Sequence, residues 1–343
     1  MATVVIDLQD KRPIWALPDW AREQITSALP DGWSVLFIEA PSDGSGDGAG
    51  RASPEVLEAV KDARVYMGYG IPAEVLVQGS NLEWVHSGAA GVGSSLTPEM
   101  LASPVRFTNS AGIHADPIAE MALAMMLYFA RGVDLAVHAQ REGRWGAKDF
   151  WAADAPLTEL GGSQVGILGY GGIGRAIGDR VQALGANVVG IRRRAGGETA
   201  KSASLRVVGF DALDSVLAES DFMVLSVPET DQTRGIMTRD RLLGMKQGAV
   251  LINVGRGKLV DSDGVLDALD QGPLRGAGLD VFHTEPLPEG HPFYAHPQVL
   301  VTPHVSATTR RFWERETELI CENLGRLTNG GVLRNQVDKL AGY

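Results

Sequence analysis

The sequence predicts an α/β protein of two domains, each built around a parallel β-sheet. Three observations predict this class. The chain has 343 residues, and single hydrophobic cores rarely grow past about 250–300 residues. Short β-branched runs alternate with helix-like stretches over most of the chain, which is typical of parallel strands covered by helices on both faces. The pattern changes near Asn109, after which strands are followed by glycine-rich or polar turns and helices.

Composition and charge exclude several classes of protein. Lys plus Arg is 31 and Asp plus Glu is 42, giving a net charge of -11 from scattered acidic residues. This balance argues against a nucleic-acid partner. The single cysteine, Cys321, forms no internal disulfide and suits a reducing cytoplasm. The N-terminus lacks a signal-peptide layout, and the apolar run at 121–130 is shorter than the ~20 residues that span a bilayer. We therefore expect a cytoplasmic protein without a membrane partner.

The first region predicts one sheet. Its strand-like runs are TVVIDL, WSVLFIEA, ARVYMGYG and LEWVHSGA, and a helix-like stretch is SPEVLEAVKDA. The segment SDGSGDGAG at 42–50 contains only small and acidic residues, which bury too little apolar surface to order the backbone. We predict a surface loop there.

The second region predicts a longer parallel sheet. The predicted strands are QVGILG, NVVGIR, DFMVLSV, GAVLINV, GAGLDV and QVLVTP, and the predicted helices are GIGRAIGDRVQALG, DALDSVLAES and DSDGVLDALDQG. Ligands of such sheets bind at the carboxyl ends of the strands. Functional side chains should therefore follow these strands.

Two long helices are predicted to connect the domains, near 114–131 and 308–326. The first lies in the segment DPIAEMALAMMLYFARGVDLAVHAQ, which is apolar around most of its circumference. A helix of this kind must be covered by other parts of the protein. The sequence leaves two interpretations open, a core helix or a helix in a subunit interface.

The strand QVGILG leads into a motif with the spacing G-x-G-x-x-G. Its residues are Gly169, Tyr170, Gly171, Gly172, Ile173 and Gly174. Because the motif follows a strand and opens a helix, it predicts a dinucleotide-binding site. Gly169 would permit the tight turn, Gly171 the approach of a pyrophosphate to the backbone, and Gly174 the packing of the helix on the strand. The pyrophosphate would lie at the helix N-terminus.

The end of the next strand selects between NAD and NADP. An acidic residue there binds the ribose hydroxyls and repels a 2′-phosphate. This chain instead has Arg192, Arg193 and Arg194, and its next acidic residue, Glu198, lies past two glycines. Because the guanidinium fork matches phosphate oxygens, we predict a preference for NADP(H), with NAD(H) as a further cofactor. The alternative is a solvated basic turn.

Three chargeable residues follow the last strands. Arg256 lies in the loop after VLINV, Glu285 lies five residues beyond the strand-end Asp280, and His304 directly follows QVLVTP. Because parallel strands end at one edge, we expect the three above that edge, beside the cofactor. Of the seven histidines, His304 is the only one that directly follows a strand-like run within the cofactor half. His86 follows such a run in the other domain.

The chain resembles the D-isomer-specific 2-hydroxyacid dehydrogenase family, and among its members the NADP-preferring glyoxylate/hydroxypyruvate reductases. The resemblance extends from near Trp84 to the C-terminus. It rests on GYGGIGRAIG, PETDQTRGIM, LINVGRGKLVDSDGVLDAL, GLDVFHTEPLPEGHPFY and TPHVSATT, in family order and at family-like spacing. It implies two Rossmann-like domains with the active site in the cleft between them.

The resemblance also implies roles for individual residues. Arg256 would bind the carboxylate and carbonyl of a 2-keto acid, His304 would be the acid/base, and Glu285 would pair with that histidine. The further substrate contacts are Tyr69, Gly70, Ala90 and Gly91, and the further positions lining the cofactor cleft are Pro228, Thr233, Val254, Gly255 and Asp280. No residue is assigned to a metal.

The sequence departs from the family pattern at two positions. Gly93 lies where the family often has an aspartate, after the turn that binds the carboxylate. Arg192 replaces the acidic residue that ends the second strand. Glu285 distinguishes the chain from formate dehydrogenases of this fold, which carry glutamine at that position.

These observations predict a substrate domain of residues 1–110 and 306–343 and a dinucleotide-binding domain of residues 111–305. The expected function is NADPH-dependent reduction of glyoxylate, hydroxypyruvate or a similar small 2-keto acid to the D-2-hydroxy acid, by a homodimer. Two alternatives remain open. One is a phosphite-type dehydrogenase of the same fold, because Arg256 could bind that anion too. The other is a nucleotide-sensing binding protein.

Overall fold

The computed structural model describes residues 2–42, 50–193 and 204–342. Most of the predicted loop at 42–50, and the predicted cofactor contact Arg194, lie outside the described residues. The chain forms two compact units. The split unit comprises Met1–His114 and Thr308–Tyr343, and the central unit comprises Ala115–Ala307. Their assignment to substrate and dinucleotide remains a prediction.

The split unit is built on a five-stranded parallel sheet. Its strands are β1 (Ala2–Asp7), β2 (Trp33–Phe37), β3 (Ala63–Gly68), β4 (Trp84–Ser87) and β5 (Arg106–Asn109), in the spatial order β2-β1-β3-β4-β5. Its helices are α1 (Asp19–Ser27), α2 (Pro54–Ala59), α3 (Ala73–Gln78), α4 (Pro98–Ala102) and α13 (Phe312–Thr328). Successive side chains of a strand point to opposite faces. Val4 therefore packs with α1 and α13, and Val5 packs with α2 and α3.

The central unit is built on a seven-stranded parallel sheet. Its strands are β6 (Gln164–Leu168), β7 (Asn187–Ile191), β8 (Leu205–Val208), β9 (Phe222–Leu225), β10 (Ala249–Asn253), β11 (Leu274–Leu279) and β12 (Val299–Val301), in the order β12-β11-β10-β9-β6-β7-β8. Its helices are α5 (Ala115–Ala130), α6 (Val133–Arg141), α7 (Ala147–Trp151), α8 (Gly172–Ala183), α9 (Leu213–Glu219), α10 (Arg239–Leu243), α11 (Ser262–Asp270) and α12 (Pro292–Ala295).

Both faces of the central sheet are covered, which explains its continuous apolar strands. Every residue of β10 and β11 is buried. Helices α5 and α8 contribute to the core on one face, and α9 and α11 contribute to the core on the other. The predicted α/β fold with two parallel sheets is confirmed.

The apolar segment after His114 forms two helices rather than one. Gly132 lies between α5 and α6 with a φ of 66°, a left-handed conformation that an α-helix cannot continue. Helix α5 packs on its own sheet, where Gly276 and Gly278 of β11 leave room for Phe129 and Met125. This packing supports the core interpretation of α5.

Two strands were absent from the sequence-based prediction. Strand β5 contains only one large apolar residue, Phe107, and strand β8 lies at the edge of its sheet with no fully buried residue. Neither has the continuous apolar run that marks a central parallel strand. Their positions are set by pairing with β4 and β7 instead.

Candidate active site

Three neighbouring strands of the central sheet present the predicted catalytic residues. Arg256 follows β10, Glu285 lies in the loop after β11, and His304 follows β12. Strands β10, β11 and β12 are adjacent in the sheet and parallel. Their carboxyl ends therefore form one edge, and the three loops start from it.

Glu285 connects His304 to the protein backbone. Its Oε2 lies 2.6 Å from Nδ1 of His304, and its Oε1 accepts a hydrogen bond from the N–H of Phe282 at 2.8 Å. The side chains of His304 and Glu285 are 39% and 34% exposed within the chain. One carboxylate oxygen thus fixes the loop, and the other orients the imidazole through Nδ1.

The pair shifts the ionisation of both partners. The hydrogen bond to Glu285 raises the pKa of His304 above its ordinary value, and this outweighs the opposing effects of burial and of the positive charge on Arg256. Burial opposes ionisation of Glu285, but the hydrogen bonds from His304 and Phe282 and the charges of His304 and Arg256 lower its pKa overall. Both shifts therefore favour a protonated imidazole beside an ionised carboxylate.

Asp280 holds the loop that carries His304. The N–H of His304 donates to the carbonyl of Asp280 at 2.8 Å, and His304 has a φ of 54°. The buried carboxylate accepts hydrogen bonds from the hydroxyl of Thr302 at 2.5 Å and from the N–H groups of Val305 and Ser306 at 3.0 and 2.9 Å. A non-glycine residue in this region needs such support.

The loop of Arg256 packs against the loop that leads to Glu285. A Cβ on Gly257 would lie 1.9 Å from the carbonyl carbon of Phe282, so only glycine permits this contact. The half-buried Arg256 donates from Nη1 to the carbonyl of Gly255 at 2.8 Å. Its charge acts on both Glu285 and His304. The structure therefore brings the three residues together.

The glycine motif forms the turn from β6 into α8. Cβ atoms on Gly169 and Gly174 would meet backbone at 2.7 and 2.2 Å, whereas Cβ atoms on Gly171 and Gly172 would meet nothing within 4 Å. Packing therefore requires glycine at positions 169 and 174. Gly171 and Gly172 instead leave the backbone at the start of α8 open. Tyr170 is buried, and Ile173 is half-buried. An open backbone at a helix N-terminus suits a pyrophosphate.

The other predicted cofactor positions lie in four loops of the same unit. Arg192 and Arg193 follow β7, where Arg192 is half-buried and Arg193 is exposed. Pro228 and Thr233 belong to the loop after β9, in which the Thr233 hydroxyl donates to the Pro228 carbonyl at 2.7 Å. The remaining positions are Val254 and Gly255 after β10 and Asp280 after β11.

The predicted substrate contacts outside the central unit follow two strands of the split unit. Tyr69 and Gly70 follow β3, and the hydroxyl of the buried Tyr69 donates to the carbonyl of Trp15. Ala90 and Gly91 follow β4, and the carbonyl of Ala90 accepts from Nδ2 of Asn109 at 2.7 Å. These residues lie at the carboxyl edge of the split-unit sheet.

His86, the split-unit histidine in strand β4, has a structural environment. His86 is fully buried, with Nε2 2.7 Å from Oε1 of Glu316 and Nδ1 2.8 Å from the hydroxyl of Thr108. Among the described residues, no three His, Cys, Asp or Glu side chains gather as a metal site would require. No helix among them is long and apolar enough to cross a bilayer.

The fold and the site define an α/β protein with a Rossmann-type central unit. Residues 123–306 match the family model described as D-isomer specific 2-hydroxyacid dehydrogenase, NAD binding domain. The chain belongs to the D-isomer-specific 2-hydroxyacid dehydrogenase family. Members of this family are oxidoreductases that act on CH–OH groups with NAD(P).

Curated relatives include two kinds of enzyme. A glyoxylate reductase of Korarchaeum cryptofilum is 32% identical over 92% of this chain and 95% of its own length. A D-3-phosphoglycerate dehydrogenase of Methanocaldococcus jannaschii is 29% identical over 84% of this chain, which spans only 54% of that relative.

Solved structures extend the likeness to the whole chain. A D-isomer specific 2-hydroxyacid dehydrogenase from Xanthobacter autotrophicus Py2, in complex with NADPH and MES, is 29% identical with a TM-score of 0.78 over 100% of this chain and 99% of that chain. An NADPH-dependent glyoxylate/hydroxypyruvate reductase from Sinorhizobium meliloti, in complex with NADP and sulfate, is 25% identical with a TM-score of 0.77 over 100% of both chains.

Proposed function

We propose that this protein reduces a small 2-keto acid of the glyoxylate or hydroxypyruvate type to the D-2-hydroxy acid, with NADPH as the preferred reductant. The observation that carries this proposal is the hydrogen-bonded pair of His304 and Glu285 at the strand ends, close enough to Arg256 for its charge to act on both. A proton donor and a carboxylate-binding cation are the two groups that reduction of a keto acid requires of the protein.

The central unit fits a dinucleotide. The open backbone at Gly171 and Gly172 would hold the pyrophosphate, and Arg192 and Arg193 would hold the 2′-phosphate of NADPH. When bound, the reduced nicotinamide supplies the hydride. The Xanthobacter structure contains NADPH and the Sinorhizobium structure contains NADP. These two structures support the choice of NADPH, which carries a 2′-phosphate, over NADH.

The protein's own residues would perform three tasks. Arg256 would bind the planar carboxylate through its guanidinium fork and polarise the neighbouring carbonyl. His304 would hold a proton on Nε2 and deliver it to the carbonyl oxygen as negative charge develops there, a contribution of ~10²–10⁴-fold. Glu285 would keep that imidazole protonated and oriented through the 2.6 Å contact with Nδ1.

The choice of a small keto acid rests on the relatives. Glyoxylate reductases of Korarchaeum cryptofilum and Thermococcus onnurineus are 32% and 34% identical to the chain, against 29% for the phosphoglycerate dehydrogenase of Methanocaldococcus jannaschii. Tyr69, Gly70, Ala90 and Gly91 are the proposed further substrate contacts.

We also propose that the protein is a homodimer. Trp145, between α6 and α7, and Trp151, the last residue of α7, are 93% and 79% exposed in the single chain. Exposed tryptophans of this kind are typical of protein interfaces. Light scattering of the purified protein should give twice the chain mass, and a monomer at micromolar concentration would refute this part of the proposal.

A substrate panel tests the proposed reaction. Absorbance at 340 nm would be followed with glyoxylate, hydroxypyruvate, pyruvate and a bulkier 2-keto acid, each with NADPH and with NADH. The expected result is oxidation of NADPH in preference to NADH, fastest with glyoxylate and hydroxypyruvate. Activity with NADH alone would overturn the cofactor assignment. Reduction of NADP+ or NAD+ by phosphite, together with no turnover of any keto acid by NADPH or NADH, would overturn the substrate assignment.

A further inference from the structure

Asn253 is the last residue of β10, three positions before Arg256, and its side chain is 1% exposed. Its Oδ1 accepts a hydrogen bond from the N–H of Gly255 at 3.1 Å, and its Nδ2 donates to the carbonyl of Arg256 at 3.0 Å. These partners fix the orientation of the carboxamide, because a backbone N–H only donates and a carbonyl only accepts. The side chain therefore bridges the segment that carries Arg256.

A carboxamide is required for this bridge. An aspartate of the same size has acceptor oxygens alone once ionised, so it would face the carbonyl of Arg256 with an oxygen. A leucine of similar size would leave both backbone groups without this partner, and buried backbone groups normally have one. Asn253 thus provides both the donor and the acceptor that the bridge needs. Aspartate lacks the donor, and leucine lacks both.

The neighbouring glycines restrict the same segment. A Cβ on Gly255 would lie 3.0 Å from both Leu259 Cδ1 and the carbonyl oxygen of Val227, and Gly257 is closed against Phe282. Between them, Arg256 has an extended backbone with φ and ψ of -142° and 145°. Close packing at Gly255 and Gly257 therefore restricts the backbone on both sides of Arg256. The carboxamide of Asn253 adds two hydrogen bonds to the same segment.

We propose that Asn253 is a positioning residue for Arg256, with a carboxamide that holds the Gly255–Arg256 backbone so that the guanidinium is already in place when a substrate carboxylate arrives. The inference rests on the proposed function, which makes Arg256 the carboxylate-binding residue. A preorganised arginine loses less conformational freedom on binding than one that must be ordered by its ligand. Loss of the bridge should therefore weaken binding of carboxylates.

Two variants test the bridge. Asn253→Asp keeps the size and removes the donor, and Asn253→Leu removes both polar atoms without adding charge. The measurements are KM for the best keto acid, the inhibition constant of oxamate as a substrate-like carboxylate, and the dissociation constant of NADPH. We expect KM and the oxamate constant to rise roughly tenfold or more in both variants, since displacements of about 1 Å can cost ~10²-fold. The NADPH constant should change much less.

Asn323 offers a matched control in the split unit. It is fully buried, and its carboxamide accepts from the N–H of Arg334 at 2.7 Å and donates to the carbonyl of Arg334 at 3.2 Å. Asn323→Asp therefore makes the same chemical change to a bridge of the same kind. We expect lower stability in this control, with KM and the oxamate constant unchanged.

The outcomes separate positioning from a merely structural role. Lower stability reduces the active fraction, and hence the apparent kcat, but leaves KM and the oxamate constant alone. Values within twofold of wild type in folded Asn253 variants would overturn the proposal.

A second readout does not depend on turnover. Amide hydrogen exchange of the peptide that spans 254–258, in NADPH-loaded protein, should be faster in Asn253→Leu than in wild type or Asn323→Asp. Exchange as slow as in wild type would overturn the bridge itself. If wild type reduces no keto acid, the proposed function fails independently, while the exchange result still decides whether Asn253 holds the Arg256 segment.

Discussion

His304 gives up a proton in the proposed reduction, so its ionisation sets the pH range of the reaction. Three charged side chains act on it within the central unit. Glu285 and, more weakly, Asp280 favour the imidazolium, and Arg256 opposes it. Because the net effect raises the pKa of His304, the protonated form persists to higher pH than in a free imidazole.

Replacing Glu285 with glutamine should narrow the pH range in which the protein reduces a keto acid. In Glu285→Gln the charge that stabilises the imidazolium is lost, so the pKa of His304 should fall and the high-pH decline of kcat/KM should begin at lower pH. The measurement is a pH profile of NADPH oxidation. Glu289→Gln removes the same charge from the same exposed loop and should leave the profile in place. A decline at the wild-type pH in Glu285→Gln would refute the pairing.

Strand ends allowed the sequence to predict Arg256, Glu285 and His304 as neighbours. The structure brings these three together, as the carboxyl edge of a parallel sheet requires. The supporting bonds of Asn253 and Asp280 could not be predicted in the same way. The Asn253 bonds are local turn contacts that asparagine makes in many loops, and those of Asp280 reach residues 22 to 26 positions away, so neither set is marked as special by the sequence.

Helix α8 packs on β6 only because Gly174 has no side chain. A Cβ at this position would lie 2.2 Å from the carbonyl oxygen of Gly169. The helix and the turn of the nucleotide motif are therefore in direct backbone contact. The motif spacing predicted this role for Gly174, since close packing of helix on strand is one of the reasons for the glycine.

Gly174→Ala should destabilise the central unit by about 1–3 kcal/mol, the usual cost of overpacking, and weaken NADPH binding with it. The measurement is urea unfolding together with the dissociation constant of NADPH. Gly325→Ala is the matched control, because a Cβ there, inside α13, would meet nothing within 4 Å. The control should gain up to about 1 kcal/mol from helix propensity. Equal stabilities of the two variants would contradict the packing argument.

Most strands and helices of the central unit could be predicted from continuous apolar runs separated by turns that contain glycine. The end of α5 at Ala130 agrees with the helix predicted near 114–131, but α6 was not predicted as a separate helix, because the segment stays apolar past Gly132. Strand β8 was missed for the opposite reason, since an edge strand needs no apolar run.

The whole molecule carries a net charge of -11, which disfavours an anionic cofactor at long range. Binding of NADPH must therefore depend on local positive charge, and Arg192 and Arg193 are the described residues proposed to supply it. Because this positive charge is local while the whole chain is negative, we expect a preference for NADPH rather than a general affinity for nucleotides.

Neutralising both arginines should reverse the preference. In a variant with Arg192→Gln and Arg193→Gln, KM for NADPH should rise far more than KM for NADH, because only NADPH carries the 2′-phosphate. A variant with Arg239→Gln and Arg326→Gln loses the same two charges at exposed positions and should change the two constants little and equally. Equal effects on both cofactors in the first variant would refute the role of the arginines.

The pH dependence of keto-acid reduction by the wild-type protein tests the account most directly, because it requires turnover, a proton donor and a raised imidazole pKa together. kcat/KM for the best keto acid would be measured with saturating NADPH from pH 6 to pH 10. We expect kcat/KM to be level at low pH and to decline above the ordinary titration range of histidine. A flat profile through pH 9 would contradict His304 as the proton donor.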